Sequence, residues 1–148
     1  MNNTILLVED EVKTGEMLKR ALELEGMVVK WTENGKIALA EIEKNRFDLI
    51  ILDLKLPEIS GEAVLEGLRK VDPYVPVLVY TNYEEPPVMK KLMNLGVEGY
   101  IKKGAESDLW GIVDHVKSLL DPFSEEERNR LLQSAPEGMF KESKKDEC

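Results

Sequence analysis

The chain has 148 residues, the length of one domain and enough to bury a core without disulfide or metal staples. Hydrophobic residues at 43% exclude a disordered chain, and 20 basic against 29 acidic side chains leave a net charge of −9, which excludes the basic footprint that nucleic acid or an anionic membrane requires. The lone cysteine, Cys148, and lone histidine, His115, exclude a disulfide framework and a cysteine or histidine metal site; no apolar run reaches membrane-spanning length and the N-terminus lacks signal-peptide features, so a cytoplasmic protein is expected.

Ile5-Leu6-Leu7-Val8 reads as a strand that ends abruptly in Glu9-Asp10-Glu11. Met17, Leu18, Ala21, Leu22 and Glu25 recur at helical spacing, and Gly26 supplies the stop. Met27–Trp31 is a second strand. Asn34 caps a helix running to about Lys44. Leu49-Ile50-Ile51-Leu52 is the strongest strand and ends in Asp53. The loop Leu56–Gly61 leads to a helix carrying Val64, Leu65 and Leu68. Val75–Tyr80 is a fourth strand, ending in Thr81. Pro86-Pro87 opens a helix, where a missing N–H costs nothing, and Gly96 ends it. Gly99–Lys102 is a short fifth strand, ending in Lys103. A last helix from Ala105 to Leu120 puts Leu109, Ile112, Val113, Val116 and Leu120 on one face.

Strands apolar on both faces, separated by helices, predict a parallel sheet covered on both sides. Right-handed crossovers then bring every strand's C-terminal end to one edge, where open α/β sheets bind ligands. The texture changes after residue 120. Residues 121–148 carry eight acids and five bases, read as a charged extension with a capping box at Ser124–Glu127, a short helix over about 124–135 and a disordered remainder.

Four strand ends therefore place Glu9 and Asp10, Asp53, Thr81, and Lys103 on one edge. Grouped carboxylates repel unless a cation joins them, and Mg²⁺ takes one or two carboxylates together with a phosphate. Carboxylates, Mg²⁺, a lysine and a hydroxyl can together position and neutralise a phosphoryl group. A carboxylate can itself be the nucleophile, giving an aspartyl-phosphate.

These segments resemble the response regulator receiver domain of two-component signalling. The matching stretches are Ile5–Glu11, Asp48–Gly61, Val77–Thr81 and Gly96–Lys103, in the family's order and at its strand ends. The resemblance covers about residues 3–120. It implies a flavodoxin-like, doubly wound five-stranded parallel sheet of order 2-1-3-4-5. It further implies that Asp53 accepts a phosphoryl group from a sensor histidine kinase or phosphotransfer protein. Asp10, Asp53 and the main-chain carbonyl of Lys55 would bind Mg²⁺, with Glu9 acting through water. Thr81 and Lys103 would hold the phosphoryl group, Thr81 and Tyr100 would switch, and Lys55 and Tyr83 would tune the rate of phosphoryl loss. The output would be a contact with a downstream protein through the face of the fourth helix, fifth strand and fifth helix, since no DNA-binding domain follows residue 120. No nucleic-acid or membrane partner is implied. A monomer is expected before phosphorylation, with a dimer open to it on activation.

Departures are local. Gly104 follows Lys103 where many members have proline, and Asn82 stands where a small residue is usual. Lys102 neighbours Lys103, and the family register selects Lys103. Two other readings remain: a receiver-shaped scaffold that works without phosphorylation, and a Mg²⁺-dependent phosphohydrolase. The second lacks an acid two residues after Asp53, where Lys55 stands. His115 reads as a packed or surface histidine rather than a relay residue.

Overall fold

The computed structural model describes residues 3–82, 85–103 and 109–121, together with Arg130 and Gln133. Its elements are β1 (Thr4–Val8), α1 (Val12–Leu24), β2 (Val28–Thr32), α2 (Gly35–Lys44), β3 (Leu49–Leu52), α3 (Gly61–Val71), β4 (Val77–Thr81), α4 (Pro86–Leu95), β5 (Gly99–Lys102) and α5 (Leu109–Leu120). All neighbouring strands pair in parallel, in the order β2-β1-β3-β4-β5. The strand pattern predicts the parallel sheet, and the resemblance implies this doubly wound order.

Strand alternation sorts the core into two layers. Ile5, Leu7, Ile51 and Leu78 pack with Leu18 and Leu22 of α1 and Ile112, Val113 and Val116 of α5. Leu6, Val8, Ile50, Leu52 and Val79 point the other way, onto Ala38 of α2, Val64, Leu65 and Leu68 of α3 and Leu92 of α4. Each β3 residue is fully buried, which is why Leu49–Leu52 carries no polar alternation. Burying a side chain of this size contributes roughly 1.5–3 kcal/mol.

The helix ends follow local chemistry. Asn34 accepts from the N–H groups of Lys36 (2.7 Å) and Ile37 (3.4 Å), satisfying the first turn of α2. Ser60, within the loop Leu56–Gly61, does the same for α3 through the Ala63 N–H at 3.2 Å. Gly26 and Gly96 take φ of 87° and 86°, the left-handed geometry that ends α1 and α4.

The strand bounds differ from the expected ones: β1 starts at Thr4 rather than Ile5, and β2 and β4 shift as well. β2 starts at Val28 rather than Met27, because the Met27 N–H is taken by Leu22 O (3.2 Å) in the turn that ends α1. It runs on to Thr32, whose carbonyl accepts from the Glu9 N–H at 3.0 Å. β4 starts at Val77 rather than Val75. Pro76 has no N–H to give to a ladder, although its carbonyl accepts from Ile50 at 3.0 Å. The first turn predicted for the fifth helix, residues 105–108, lies outside the described residues, as do Tyr83, Gly104 and the extension apart from Asp121, Arg130 and Gln133. Among the described residues no helix is long and apolar enough to cross a membrane.

Candidate functional site

The C-terminal ends of β1, β3, β4 and β5 deliver Glu9 and Asp10, Asp53, Thr81, and Lys103 to one edge. Backbone bonding continues past the strands and fixes these residues. The Asp53 N–H donates to Val8 O (3.0 Å) and the Lys103 N–H to Thr81 O (2.9 Å). Gly61 sets the return of the loop after Asp53. Its N–H donates to Leu54 O at 2.8 Å, and a Cβ there would lie 2.3 Å from Asp53 O. Only glycine lets the start of α3 come this close to the strand end.

Glu9, Asp53, Thr81 and Lys103 are all buried, whereas Asp10 is exposed. Lys103 is the hub. Its Nζ lies 2.9 Å from Asp53 Oδ2, 2.5 Å from Glu9 Oε1 and 3.3 Å from Glu11 Oε1, and it sits 5.5 Å above the Tyr80 ring. Lys102 is exposed on the opposite side of the strand, so alternation resolves the pair in favour of Lys103. Glu11 was not singled out from the sequence. The signal was available in the unbroken acid run Glu9-Asp10-Glu11, but only the tertiary fold brings it to a lysine 92 residues away.

Carboxylate oxygens of Glu9, Asp10 and Asp53 lie within 4.8 Å of one another. Glu9 Oε1 is buried against the Lys103 ammonium. Three clustered carboxylates carry more negative charge than one ammonium neutralises, and their all-oxygen donor set fits Mg²⁺. The Lys55 N–H donates to Asp53 Oδ1 at 3.4 Å, which holds the Lys55 peptide at the rim of the same group.

The electrostatics divide the two buried acids. Burial, followed by the hydrogen bond with Asp53, pushes the Glu9 carboxyl up to about 7. Burial works against ionisation of Asp53 as well, but hydrogen bonds with Glu9, Lys103 and Thr81 outweigh it and hold Asp53 below the ordinary carboxylate range. Burial disfavours the Lys103 ammonium, yet its bonds to Glu9 and Asp53 win and keep it protonated well above the usual lysine range. The two carboxyls are thus pushed apart, Asp53 towards the ionised form and Glu9 towards the protonated one, beside the Lys103 ammonium. The cleft above Asp53 measures about 200 Å³ and is lined by Asp10, Glu11, Lys55, Thr81 and Lys103 among others. That is room for a small anionic group, not for a large substrate.

Tyr100 is half-buried on the layer that holds α4, level with Val79 in the β4–β5 register and on the same sheet face as Thr81. The two proposed switch residues therefore share one side of neighbouring strands. His115 lies on α5 against β5, where a Cβ on Gly99 would stand 2.7 Å from its Nε2.

A family model described as the response regulator receiver domain matches residues 5–114. The transcriptional activator protein IrlR of Burkholderia pseudomallei (strain 1026b) is 39% identical over 116 residues, covering 78% of this chain and 49% of that protein. The chain thus spans about half the length of such curated relatives. A CheY-like receiver domain structure from Methanospirillum hungatei superposes with a TM-score of 0.78 at 29% identity, covering 82% of this chain and 96% of that one. The phosphorylated cyanobacterial phytochrome response regulator RcpA gives a TM-score of 0.72 at 27% identity, covering 84% and 98%. With its strand order, its acid cluster and its buried lysine, this chain belongs to the response regulator receiver domain family.

Proposed function

We propose that the chain is a phosphorylation-controlled switch whose phosphoacceptor is Asp53. The observation that carries this reading is the Lys103 ammonium 2.9 Å from Asp53 Oδ2, inside a ring of carboxylates able to hold a divalent cation. A carboxylate oxygen of Asp53 attacks phosphorus. A P–O bond forms as the P–N bond of a donor phosphohistidine breaks, and the departing imidazole nitrogen keeps the bonding pair and takes up a proton. Asp10, Asp53 and the main-chain carbonyl of Lys55 would hold Mg²⁺, with Glu9 acting through water. The bound ion supplies neutralisation of the charge that gathers on the phosphoryl oxygens.

This chain's own groups do the rest. Asp53 is kept ionised and therefore nucleophilic at neutral pH. Lys103 offers its ammonium to the phosphoryl oxygens, and the Thr81 hydroxyl, already bonded to Asp53, turns to the same group. Thr81 moving inward frees space on the sheet face it shares with Tyr100, and that ring reports the change to α4, β5 and α5. Lys55 and Tyr83 would set how readily water reaches the acyl phosphate.

The donor implied is a histidine kinase or phosphotransfer protein, and the output a protein contact on the α4-β5-α5 face. IrlR is a transcriptional activator of about twice this span, so receivers of this kind serve transcription within longer proteins. RcpA, by its description, has been captured phosphorylated. The domain division at residue 120, with 121–148 as a charged extension, and a monomeric resting state belong to the same proposal.

Intact-mass measurement after incubation with acetyl phosphate tests it, with and without Mg²⁺, on wild type and Asp53→Asn. A Mg²⁺-dependent gain of one phosphoryl group, absent from the variant, is expected. Equal labelling of both proteins would place the acceptor elsewhere. No labelling by acetyl phosphate or by a panel of phosphorylated histidine donors would return the scaffold reading.

A further inference from the structure

Glu9 is gripped by the edge strand from both sides of its peptide. Its N–H donates to Thr32 O at 3.0 Å, the ordinary continuation of the β1–β2 ladder. Its carbonyl accepts from the indole Nε1 of Trp31 at 2.9 Å, and that bond comes from a side chain. The indole reaches back over the start of α1 to make it. The space it uses exists because residue 15 is glycine. A Cβ at Gly15 would stand 2.1 Å from one indole carbon and 2.7 Å from Nε1. Gly15 is a buried residue in the first turns of a helix, where alanine would be the better helix former. The glycine therefore weakens α1 locally and gives the indole its seat.

We infer that Trp31, seated on Gly15, is a positioning residue for the acid loop. It fixes the Glu9 carbonyl and so aims the Glu9 and Asp10 carboxylates at Asp53. The inference deepens the phosphoacceptor reading and rests on it for its function, while the metal geometry it governs can be measured independently. Asp10 is the exposed member of the acid cluster. The Glu9–Asp10 peptide is therefore the joint at which the loop leaves the sheet. A backbone clamp there limits how far the exposed carboxylate can swing, without touching the cation or the phosphoryl group.

Trp31→Phe keeps a ring over Gly15 and removes the N–H. Gly15→Ala keeps the indole and evicts it from its seat, in a helix that alanine does not weaken. Trp110→Phe, on the exposed flank of α5, is the control. Mg²⁺ affinity is read by calorimetric titration, folding by thermal melting, and acetyl phosphate labelling is followed across Mg²⁺ concentrations. Trp31→Phe is expected to weaken Mg²⁺ binding by roughly two- to ten-fold, the span covered by one hydrogen bond of ordinary strength. Labelling should be slower at limiting Mg²⁺ and return to the wild-type rate at saturating Mg²⁺, a split that loss of fold would not produce. Gly15→Ala should shift affinity in the same direction, and it carries the test if the phenylalanine variant does not fold. Wild-type Mg²⁺ affinity in a folded variant overturns the inference, as does a labelling defect that saturating Mg²⁺ leaves in place. A wild-type protein that binds Mg²⁺ but takes no phosphoryl group overturns the phosphoacceptor reading alone. The effect of Trp31 on Mg²⁺ affinity then still decides the positioning role.

Discussion

The middle of this sheet and its β5 edge are built to different standards. β1 and β3 are packed on both faces: Ile5 to Val8 and Leu49 to Leu52 are buried without exception, and Glu9 and Asp53 follow directly from them. β5 has no fully buried residue, and α4 buries only Leu92 of its ten. The acid cluster is aimed by a dense core, by the Gly61 close approach and by the indole over Glu9. The α4–β5 side is held in place by weaker means. Lys91 reaches from α4 to Glu62 (3.9 Å) and Glu66 on α3, and Arg69 of α3 donates to Leu95 O at 3.2 Å and to Gly96 O at the end of α4. A rigid place for chemistry beside a lightly held helix is the arrangement a switch needs. On the proposed reading, charge placed at Asp53 would move the helix for little energy, while the carboxylates stay where they are.

The contrast can be broken at the rigid middle first. Asp53→Asn should abolish Mg²⁺-dependent labelling altogether while leaving the fold intact, read by intact mass and circular dichroism. Core truncation comes next. Ile50→Ala in β3 should cost about 4 kcal/mol in chemical denaturation, because packed neighbours on both faces cannot collapse into the gap, and Leu92→Ala in α4 about half as much, because a lightly held helix can settle. Equal losses at the two sites would erase the distinction between the two regions.

Lys103→Met sharpens the electrostatic half of the comparison. It leaves Glu9 and Asp53 buried without their cation and should destabilise by about 3 kcal/mol in metal-free buffer. Mg²⁺ can take over part of the missing charge, so its addition should stabilise this variant more than wild type. The smallest effect belongs to Lys91→Ala. Both Lys91 and Glu66 lie in solvent, and exposed pairs of this kind are worth little. Thermal melting should barely change, and added salt should remove whatever difference low salt reveals. A large loss would mean that α4 is held far more firmly than its burial suggests.

Much of this architecture was legible in the residues themselves. Leu49–Leu52, apolar on both faces and closed by Asp53, can hardly be anything but a central parallel strand. Asn34, Gly26 and Gly96 punctuate their helices by purely local rules, hydrogen-bond capping and left-handed backbone. Where the reading slipped, a neighbour distant in sequence or a missing donor decided. β2 gained Thr32 because Glu9 pairs with it, and β4 lost its first residues at a proline. The Ser60 cap is not legible from spacing, since a loop containing Pro57 and Gly61 offers several places for the helix to begin.

The sequence by itself determined the alternation of strand and helix, the sheet's handed winding, and the residue types at four strand ends. Those follow from periodicity and chain direction, which are local or topological. Only the tertiary structure decided which groups touch: Glu11 joining Glu9 and Asp53 around Lys103, the indole of Trp31 on the Glu9 carbonyl, Arg69 on the end of α4. Contacts of this kind depend on rotamers and on distances between segments far apart in the chain, and no spacing rule along the sequence encodes them. The shifts at Glu9, Asp53 and Lys103 arise the same way, because burial and partner charge exist only once the strands have met.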